Sequence, residues 1–225
     1  MVKIISIANQ KGGVGKTTTS INLATSLSAI NKKILLVDAD PQGNASTGIG
    51  ISYENRSPNL YDLIVNESLD EGAIKKTIVP NLDIITANTN LAASEIELVE
   101  VKNRELVLSN ILSKIESYDY ILIDCPPALG LLTINALVAS QSVIIPLQSE
   151  FFALEGISSL VNSIELIKEN FNPNLSIEGI LLTMADKRNS LSSLVEKDVR
   201  DHFGETVYKT TIPRNVRISE APSHG

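Results

Sequence analysis

The sequence predicts an α/β protein, a mostly parallel, twisted sheet with helices on both faces. Three observations predict it. Short apolar runs of strand type, among them Ile34-Leu35-Leu36-Val37 and Tyr120-Ile121-Leu122-Ile123, recur along the chain and are separated by longer segments whose apolar residues repeat at helical spacing. A Gly-rich loop joins the first such run to the first helical segment. The 225 residues suit one large domain spanning 1–225, well above the size at which a hydrophobic core becomes marginal.

Composition narrows the function classes. Hydrophobic residues make up 43% and charged residues 20%, which belongs to globular rather than disordered or membrane chains. No run of 18 or more apolar residues occurs, and the N-terminus enters a strand at once instead of showing a signal-peptide pattern, so the expected location is cytoplasmic. A single cysteine, Cys125, forms no internal disulfide, and no Cys/His cluster has zinc spacing. The formal charge of −7 argues against a general nucleic-acid coat protein, because phosphate contacts draw on clustered Lys and Arg. A local basic patch is still allowed.

The first strand, Lys3 to Ala8, delivers Asn9-Gln-Lys-Gly-Gly-Val-Gly-Lys-Thr-Thr18. The stretch departs from G-x-x-x-x-G-K-[ST]: it lacks the leading glycine and carries Lys11 in the loop. Gly12, Gly13 and Gly15 let successive backbone N–H groups, with that of Val14 between them, converge on a phosphate. Lys16 adds a point charge, and the Thr17 hydroxyl suits Mg²⁺. The helix that follows, Thr17 to Ile30 with Leu23, Ala24, Leu27 and Ile30 as its apolar stripe, aims its N-terminal amides at the same anion. A plain Gly-rich turn between strand and helix, with Lys11 a solvated charge, is the bland alternative.

A second buried strand, Lys33 to Val37, ends in Asp38-Ala-Asp40-Pro41-Gln-Gly43-Asn44, at the end of the sheet where ligands sit. Two carboxylates there would repel phosphates unless they address a metal or an attacking water, so the loop reads as a γ-phosphate sensor and Asp40 as the residue that orients the water. Pro41 restricts Asp40, and Gly43 permits a sharp turn. An ordinary acidic strand end is the alternative. Residues 45–58 read as a loop able to reach a partner. Leu60 to Val65 and Leu69 to Lys76 read as short helices, Leu82 to Ile85 as a strand, and Asn88 to Val101 and Asn103 to Ser117 as helices. Glu95, Glu97 and Glu100 read as a solvated face, with docking of a regulator as the sharper alternative.

Tyr120 to Asp124 is a strand ending in an aspartate that suits Mg²⁺ through a water, opposite Thr17. Cys125 beside it reads as a buried structural thiol rather than a nucleophile, since no placed base accompanies it. A helix over Leu131 to Ala139, a strand over Ser142 to Pro146 and a long helix with Ile157, Leu160, Val161 and Ile164 inward come next. Then follow a strand, Ile177 to Met184, a helix with Leu191, Val195, Val199 and Phe203 inward, and a strand, Val207 to Thr211. The tail from Ile212 to Gly225 reads as a loop. Its Arg214 and Arg217, with Lys209, make the one sizeable locally basic stretch, for which solvated arginines are the plain reading.

Five stretches together resemble the ParA/Soj partitioning ATPases: Lys11 to Thr18, Asp38 to Asn44, Asp124-Cys-Pro-Pro, Phe151-Phe-Ala-Leu-Glu-Gly156, and Ile212-Pro-Arg-Asn-Val-Arg217 with Ser-Glu-Ala-Pro after it. The resemblance runs from residue 3 to residue 225, and its last two stretches are more particular to ParA/Soj than to their relative MinD. It implies a deviant Walker-type P-loop NTPase that binds ATP and Mg²⁺ through Lys11 to Thr18, with Thr17 and Asp124 at the metal and Asp40 in hydrolysis. It further implies Pro213 and Asn215 as adenine contacts, Arg188 and Arg217 as DNA-binding arginines, and Lys11 reaching across an ATP-dependent homodimer to the partner's nucleotide. The implied partners are non-specific double-stranded DNA of the nucleoid and a ParB/Spo0J-type centromere-binding protein that stimulates hydrolysis, for chromosome or plasmid partitioning. Relatives of this kind continue past the Ser-His-Gly position into a C-terminal helix that this chain does not show.

Rival readings are a ParA-like positioner of another cargo, a MinD-like ATPase, which needs a basic amphipathic C-terminal helix, and a dethiobiotin-synthetase-like enzyme, which needs acid–base residues at a substrate pocket. Neither the amphipathic helix nor the acid–base set is found in the sequence, and no membrane partner is expected. An iron–sulfur relative needs two cysteines per subunit, and Cys125 stands alone.

Overall fold

The computed structural model describes residues 2–150, 153–186 and 188–221, the side chain of 219 excepted. Eight strands form one sheet: β1 (Lys3–Ile7), β2 (Ile34–Asp38), β3 (Ile74–Lys76), β4 (Leu82–Ile85), β5 (Tyr120–Asp124), β6 (Ser142–Gln148), β7 (Ser176–Ala185) and β8 (Val207–Pro213). Their order is β3-β4-β2-β5-β1-β6-β7-β8, and only β3 runs antiparallel to its neighbour. The chain therefore starts in the interior of the sheet, builds one half, returns through β5 and builds the other. The crevice over β1, where the strand order reverses, is the place such sheets offer to ligands.

Helices cover both faces: α1 (Lys16–Ala29), α2 (Asn44–Gly48), α3 (Leu60–Val65), α4 (Leu91–Glu97), α5 (Val107–Leu112), α6 (Leu131–Ala139), α7 (Ala153–Asn170), α8 (Ser190–Phe203) and α9 (Val216–Glu220). Strand alternation decides which face each residue serves. Ile4, Leu35, Val37, Ile121 and Ile123 pack with residues of α3 to α8, while Ile5, Ile7, Ile34, Leu36 and Leu122 pack with Ala24 of α1 and Ala45 of α2. Burial on both faces is why these strands read as unbroken apolar runs.

Several elements differ from the expectations. Of the stripe expected on α1, Ala24 is buried and Leu23 and Leu27 pack half-buried against the core, but Ile30 is 64% exposed, and Ser20 and Ser28 join Ala24 as buried positions. Small residues at four-residue spacing let this helix lie close to the strands. In α8, Val195 and Val199 are buried but Leu191 is 41% exposed, because it stands in the first turn, beyond the sheet.

The helix expected over 69–76 is a 3₁₀ turn, Glu71–Ala73, followed by β3. Asp70 accepts a hydrogen bond from Gly72 N at 2.8 Å, and the residues after the turn pair with the open edge of β4, an offer no isolated helix can match. The loop expected over 45–58 contains α2 and a 3₁₀ turn, Tyr53–Asn55. The two helices expected over 88–101 and 103–117 are shorter and flanked by 3₁₀ turns at Leu98–Glu100 and Arg104–Leu106.

The tail is no loop through its described part. β8 continues to Pro213, and Asn215 caps α9 by accepting from Arg217 N at 2.9 Å. The acidic run is more than a solvated face: Glu95 accepts from Leu132 N at 3.3 Å at the start of α6, and Glu97 accepts from the Tyr61 hydroxyl at 3.1 Å. Phe151, Phe152 and residues 222–225 lie outside the described residues.

Candidate functional site

The loop between β1 and α1 is fastened from three sides before any ligand is considered. Asn9 donates through Nδ2 to Pro146 O at 2.7 Å, and its Oδ1 accepts from Lys11 N at 2.9 Å. Thr183 Oγ1 on β7 donates to Val14 O at 2.8 Å. Gly13 and Gly15 take φ of +73° and +88°, the left-handed region that side chains disfavour, so the backbone can fold its amides inward. Gly12 and Gly13 are exposed at the mouth, while Val14 is buried beneath. Thr18 follows in the first turn of α1, whose opening is marked by Thr19 N donating to Gly15 O at 2.9 Å.

Lys16 is only 6% exposed, and its Nζ donates to Lys11 O at 3.0 Å across the loop. Burial lowers its pKa from the usual lysine range, and the carboxylates of Asp124 and Asp40 oppose that shift. A buried ammonium held by one carbonyl and facing carboxylates is built to meet an anion.

Asp124 ends β5 with no exposure. Its Oδ2 accepts from Thr17 Oγ1 at 2.7 Å and its Oδ1 from Ser20 Oγ at 2.8 Å. Burial and the nearby Asp38 push its pKa up to about 7, against the pull of the two hydroxyls. The Thr17 and Asp124 oxygens are the hard donors Mg²⁺ takes. Among the described residues no cluster of three or more His, Cys, Asp or Glu can hold a metal. That set fits a cation that keeps waters and shares phosphate oxygens rather than one in a protein cage.

The two carboxylates after β2 part company. Asp38 is fully buried, accepts from Ser46 N at 2.8 Å, from Ser46 Oγ at 2.7 Å and from Asp40 N at 3.3 Å, and burial raises its pKa to about 6. It is an internal brace for its loop. The Asp40 carboxylate, in a residue 7% exposed, accepts among the described residues only from Gln42 N, at 2.9 Å through Oδ1, and so keeps lone pairs for a ligand.

Lys11 is exposed and its Nζ is ion-paired with Glu150 of the same chain. Pro213 and Asn215, both exposed, end β8 and cap α9. A cavity of about 480 Å³ bordered by Thr18, Thr19, Asn22, Thr210, Ile212 and Ile218 brings that segment beside the start of α1. Arg188 is exposed and donates through Nε and Nη2 to Asp186, both at 3.0 Å, an interaction that brings the Asp186 pKa down to about 2. Arg217 is exposed on α9. Lys11 to Thr18, Asp40 and Asp124 thus converge around Lys16, whereas Arg188 lies in the turn between β7 and α8 and Arg217, on α9, borders a cavity that Thr18 also lines.

Burial and the neighbouring Asp124 push the Cys125 thiol up to about 12, which suits an inert core residue. Sequence reasoning missed Ser20, Ser46, Thr183 and Arg56. Only Ser20 left a signal, four residues after Lys16 and three after Thr17 on one helix face. Thr183 reaches the Gly-rich loop from β7, and Ser46 and Arg56 join the site through hydrogen bonds to Asp38 and Gly43.

Comparison with known proteins accords with this geometry. A family model described as AAA domain matches residues 2–177. The chain is 55% identical over 226 residues to the sporulation initiation inhibitor protein Soj of Bacillus subtilis, covering 100% of this chain and 89% of the relative. It is 52% identical over 227 residues to the chromosome partitioning protein ParA of Caulobacter vibrioides, covering 100% and 85%. Among solved structures, cobyrinic acid a,c-diamide synthase from Mycobacterium smegmatis with bound ADP and magnesium superposes with a TM-score of 0.90 at 33% identity, over 99% of this chain and 92% of that one. The chain belongs to the ParA/Soj family of partitioning ATPases.

Proposed function

We propose that this chain binds ATP and Mg²⁺, dimerises in the ATP form, holds double-stranded DNA without reading its sequence, and hydrolyses ATP when a ParB/Spo0J-type partner stimulates it. Its role in that reading is chromosome or plasmid partitioning on the nucleoid, and the acting unit is a single domain over 1–225. The observation that carries it is one loop with two lysines of opposite burial: Lys16 lies inside beside Asp124, and Lys11 lies outside. One serves the chain's own nucleotide, and the other, exposed and paired with Glu150, would exchange that partner for the nucleotide of a second subunit. Full-length likeness to Soj and ParA supports the same reading.

Each residue then has a task. The amides of Gly12 to Thr18, with Lys16, hold the phosphates, Thr17 and Asp124 hold the cation, and Asp40 orients the attacking water through its unshared carboxylate oxygen. When bound, Mg²⁺ offsets charge on the phosphate oxygens. Pro213 and Asn215 border the adenine. Arg188 and Arg217 contact DNA phosphates, for which exposed guanidinium groups suffice, and a dimer brings two copies of each to the duplex, so that avidity works against the net charge of −7 on each chain.

The test is binding to random-sequence duplex DNA with ATP, ADP or no nucleotide at two salt concentrations, using the wild type and Lys16→Ala. Binding that needs ATP, falls with salt and is lost in K16A is expected. ATP-independent binding or none would reject the switch. The likeness to a diamide synthase favours one second reading, ATP-dependent amide formation on a small molecule. Production of ADP that requires an added carboxylic acid and ammonia or glutamine, and is indifferent to DNA, would select it.

A further inference from the structure

Arg56 has no place in the roles assigned so far, yet it is 5% exposed and all five of its N–H donors are engaged. Nε donates to Ile51 O at 3.2 Å, Nη1 to Gly43 O and Ala87 O, each at 3.3 Å, and Nη2 to Thr47 Oγ1 at 2.7 Å and Ile51 O at 3.0 Å. None of these four acceptors is a carboxylate. The buried cation hydrogen-bonds only to dipoles, with the Tyr53 ring 5.8 Å from its central carbon and the exposed Glu54 carboxylate near enough to feel its charge, and an apolar side chain would be a cheaper way to fill the space. What the guanidinium supplies is geometry: a rigid fork that meets several carbonyls at fixed angles.

Three of the acceptors belong to the segment that begins with Asp40. Gly43, whose carbonyl Arg56 holds, donates through its own N to Asp40 O at 2.9 Å. Ala87, just past β4, donates to Ser46 Oγ at 3.0 Å, and Ser46 in turn braces Asp38. The fit is close. Gly43 has φ +65°, and a Cβ there would lie 2.5 Å from Arg56 Nη1 and 2.8 Å from Ala87 O. Arg56 is itself anchored, its carbonyl accepting from Thr86 Oγ1 at 3.1 Å.

We propose that Arg56 is the positioning residue of the Asp40 loop, clamping Gly43, Thr47 and Ile51 to the end of β4 so that the Asp40 carboxylate is held at the nucleotide site. The proposal deepens the hydrolytic reading above and rests on it for the link to turnover. The clamp acts on where Asp40 stands and leaves the phosphate-binding loop alone, so it separates two quantities that a general loss of structure would move together.

The experiment compares wild type with Arg56→Lys, which keeps the charge and loses the fork, in two measurements. Amide hydrogen exchange in Mg²⁺ and ATP should show the Gly43 and Thr47 amides exchanging about tenfold faster in R56K, with β1 unchanged. Single-turnover ATP hydrolysis should fall about tenfold while ATP affinity stays within about threefold, and R56K should add nothing in an Asp40→Ala background. Thr47→Val, which removes one acceptor of Arg56 together with the Thr47 Oγ1 bond to Gly43 O at 3.1 Å, should shift the same readouts in the same direction, and serves if R56K does not fold. Unchanged exchange at Gly43 and Thr47 overturns the clamp, and so does an equal loss of ATP affinity and hydrolysis. Faster exchange in the variant, with a wild type that turns over no ATP, leaves the clamp standing and rejects the hydrolytic reading instead.

Discussion

Thr17 Oγ1 donates to Asp124 Oδ2 at 2.7 Å, so the first turn of α1 is tied to the residue that closes β5. Ser20 occupies the other carboxylate oxygen at 2.8 Å. Together they keep a buried carboxylate supplied with donors, and in the proposed reading Thr17 and Asp124 would hold a cation that offsets phosphate charge.

Removing that hydroxyl tests the pairing. Thr17→Val keeps the shape of the side chain and is expected to weaken ATP binding in Mg²⁺ about tenfold or more, with little effect when the metal is chelated. Titration of a fluorescent ATP analogue with and without EDTA measures both. Equal losses in the two conditions would assign Thr17 to packing.

Asp40→Ala should leave nucleotide binding intact and trap the ATP-bound dimer. A loss in turnover of about 100-fold or more is expected from removing a group that orients the nucleophile. Size-exclusion chromatography after ATP addition should show a persistent dimer, and unchanged turnover would take Asp40 out of the reaction.

Arg217→Glu reverses an exposed charge on α9. The expected outcome is DNA affinity about tenfold or more lower at moderate salt, a shallower salt dependence and normal ATP affinity. Retained DNA binding would return this arginine to the solvated surface.

Asp38 sets a pH dependence. Its folded pKa of about 6 lies above the unbound carboxylate value of 3.8, because burial outweighs the Ser46 hydrogen bonds. Between those values the folded chain holds the proton more tightly than the unfolded one, so this group makes stability fall as pH rises from about 4 to about 6. Its penalty is absent below that window and complete above it. Asp38→Asn should flatten that part of a urea-denaturation series run from pH 4 to 7. The same slope in wild type and variant would place the dependence elsewhere.

Much of the fold was legible because strong local patterns carried it. Runs such as Tyr120 to Asp124 are apolar on both faces and can only be interior strands, and β5 spans the predicted residues. The convergence of Lys16, Thr17, Asp40 and Asp124 was legible as well, since each stands at the end of a strand or the start of a helix, where a parallel sheet collects them. Residues 69–76 misled because Leu69 and Ile74 suit a helix, while the outcome depended on the open edge of β4. The tail misled in the same way. Its β8 extension pairs Pro213 with Ala185, a contact across 28 positions of chain that no local window contains.

By itself the sequence determined the Gly-rich loop between β1 and α1, the aspartate that ends β5 and the core strands, because backbone freedom at glycine, charge at lysine and two-sided burial are properties of residues and their near neighbours. The tertiary structure alone decided that Asp38 is a brace and Asp40 is not, that Lys11 rests on Glu150, and that Arg56 closes over Gly43, Thr47 and Ile51. Those distinctions depend on which oxygens the fold leaves within reach of a donor. Hydrogen-bond partners are chosen by proximity in space, and proximity in space is what folding supplies.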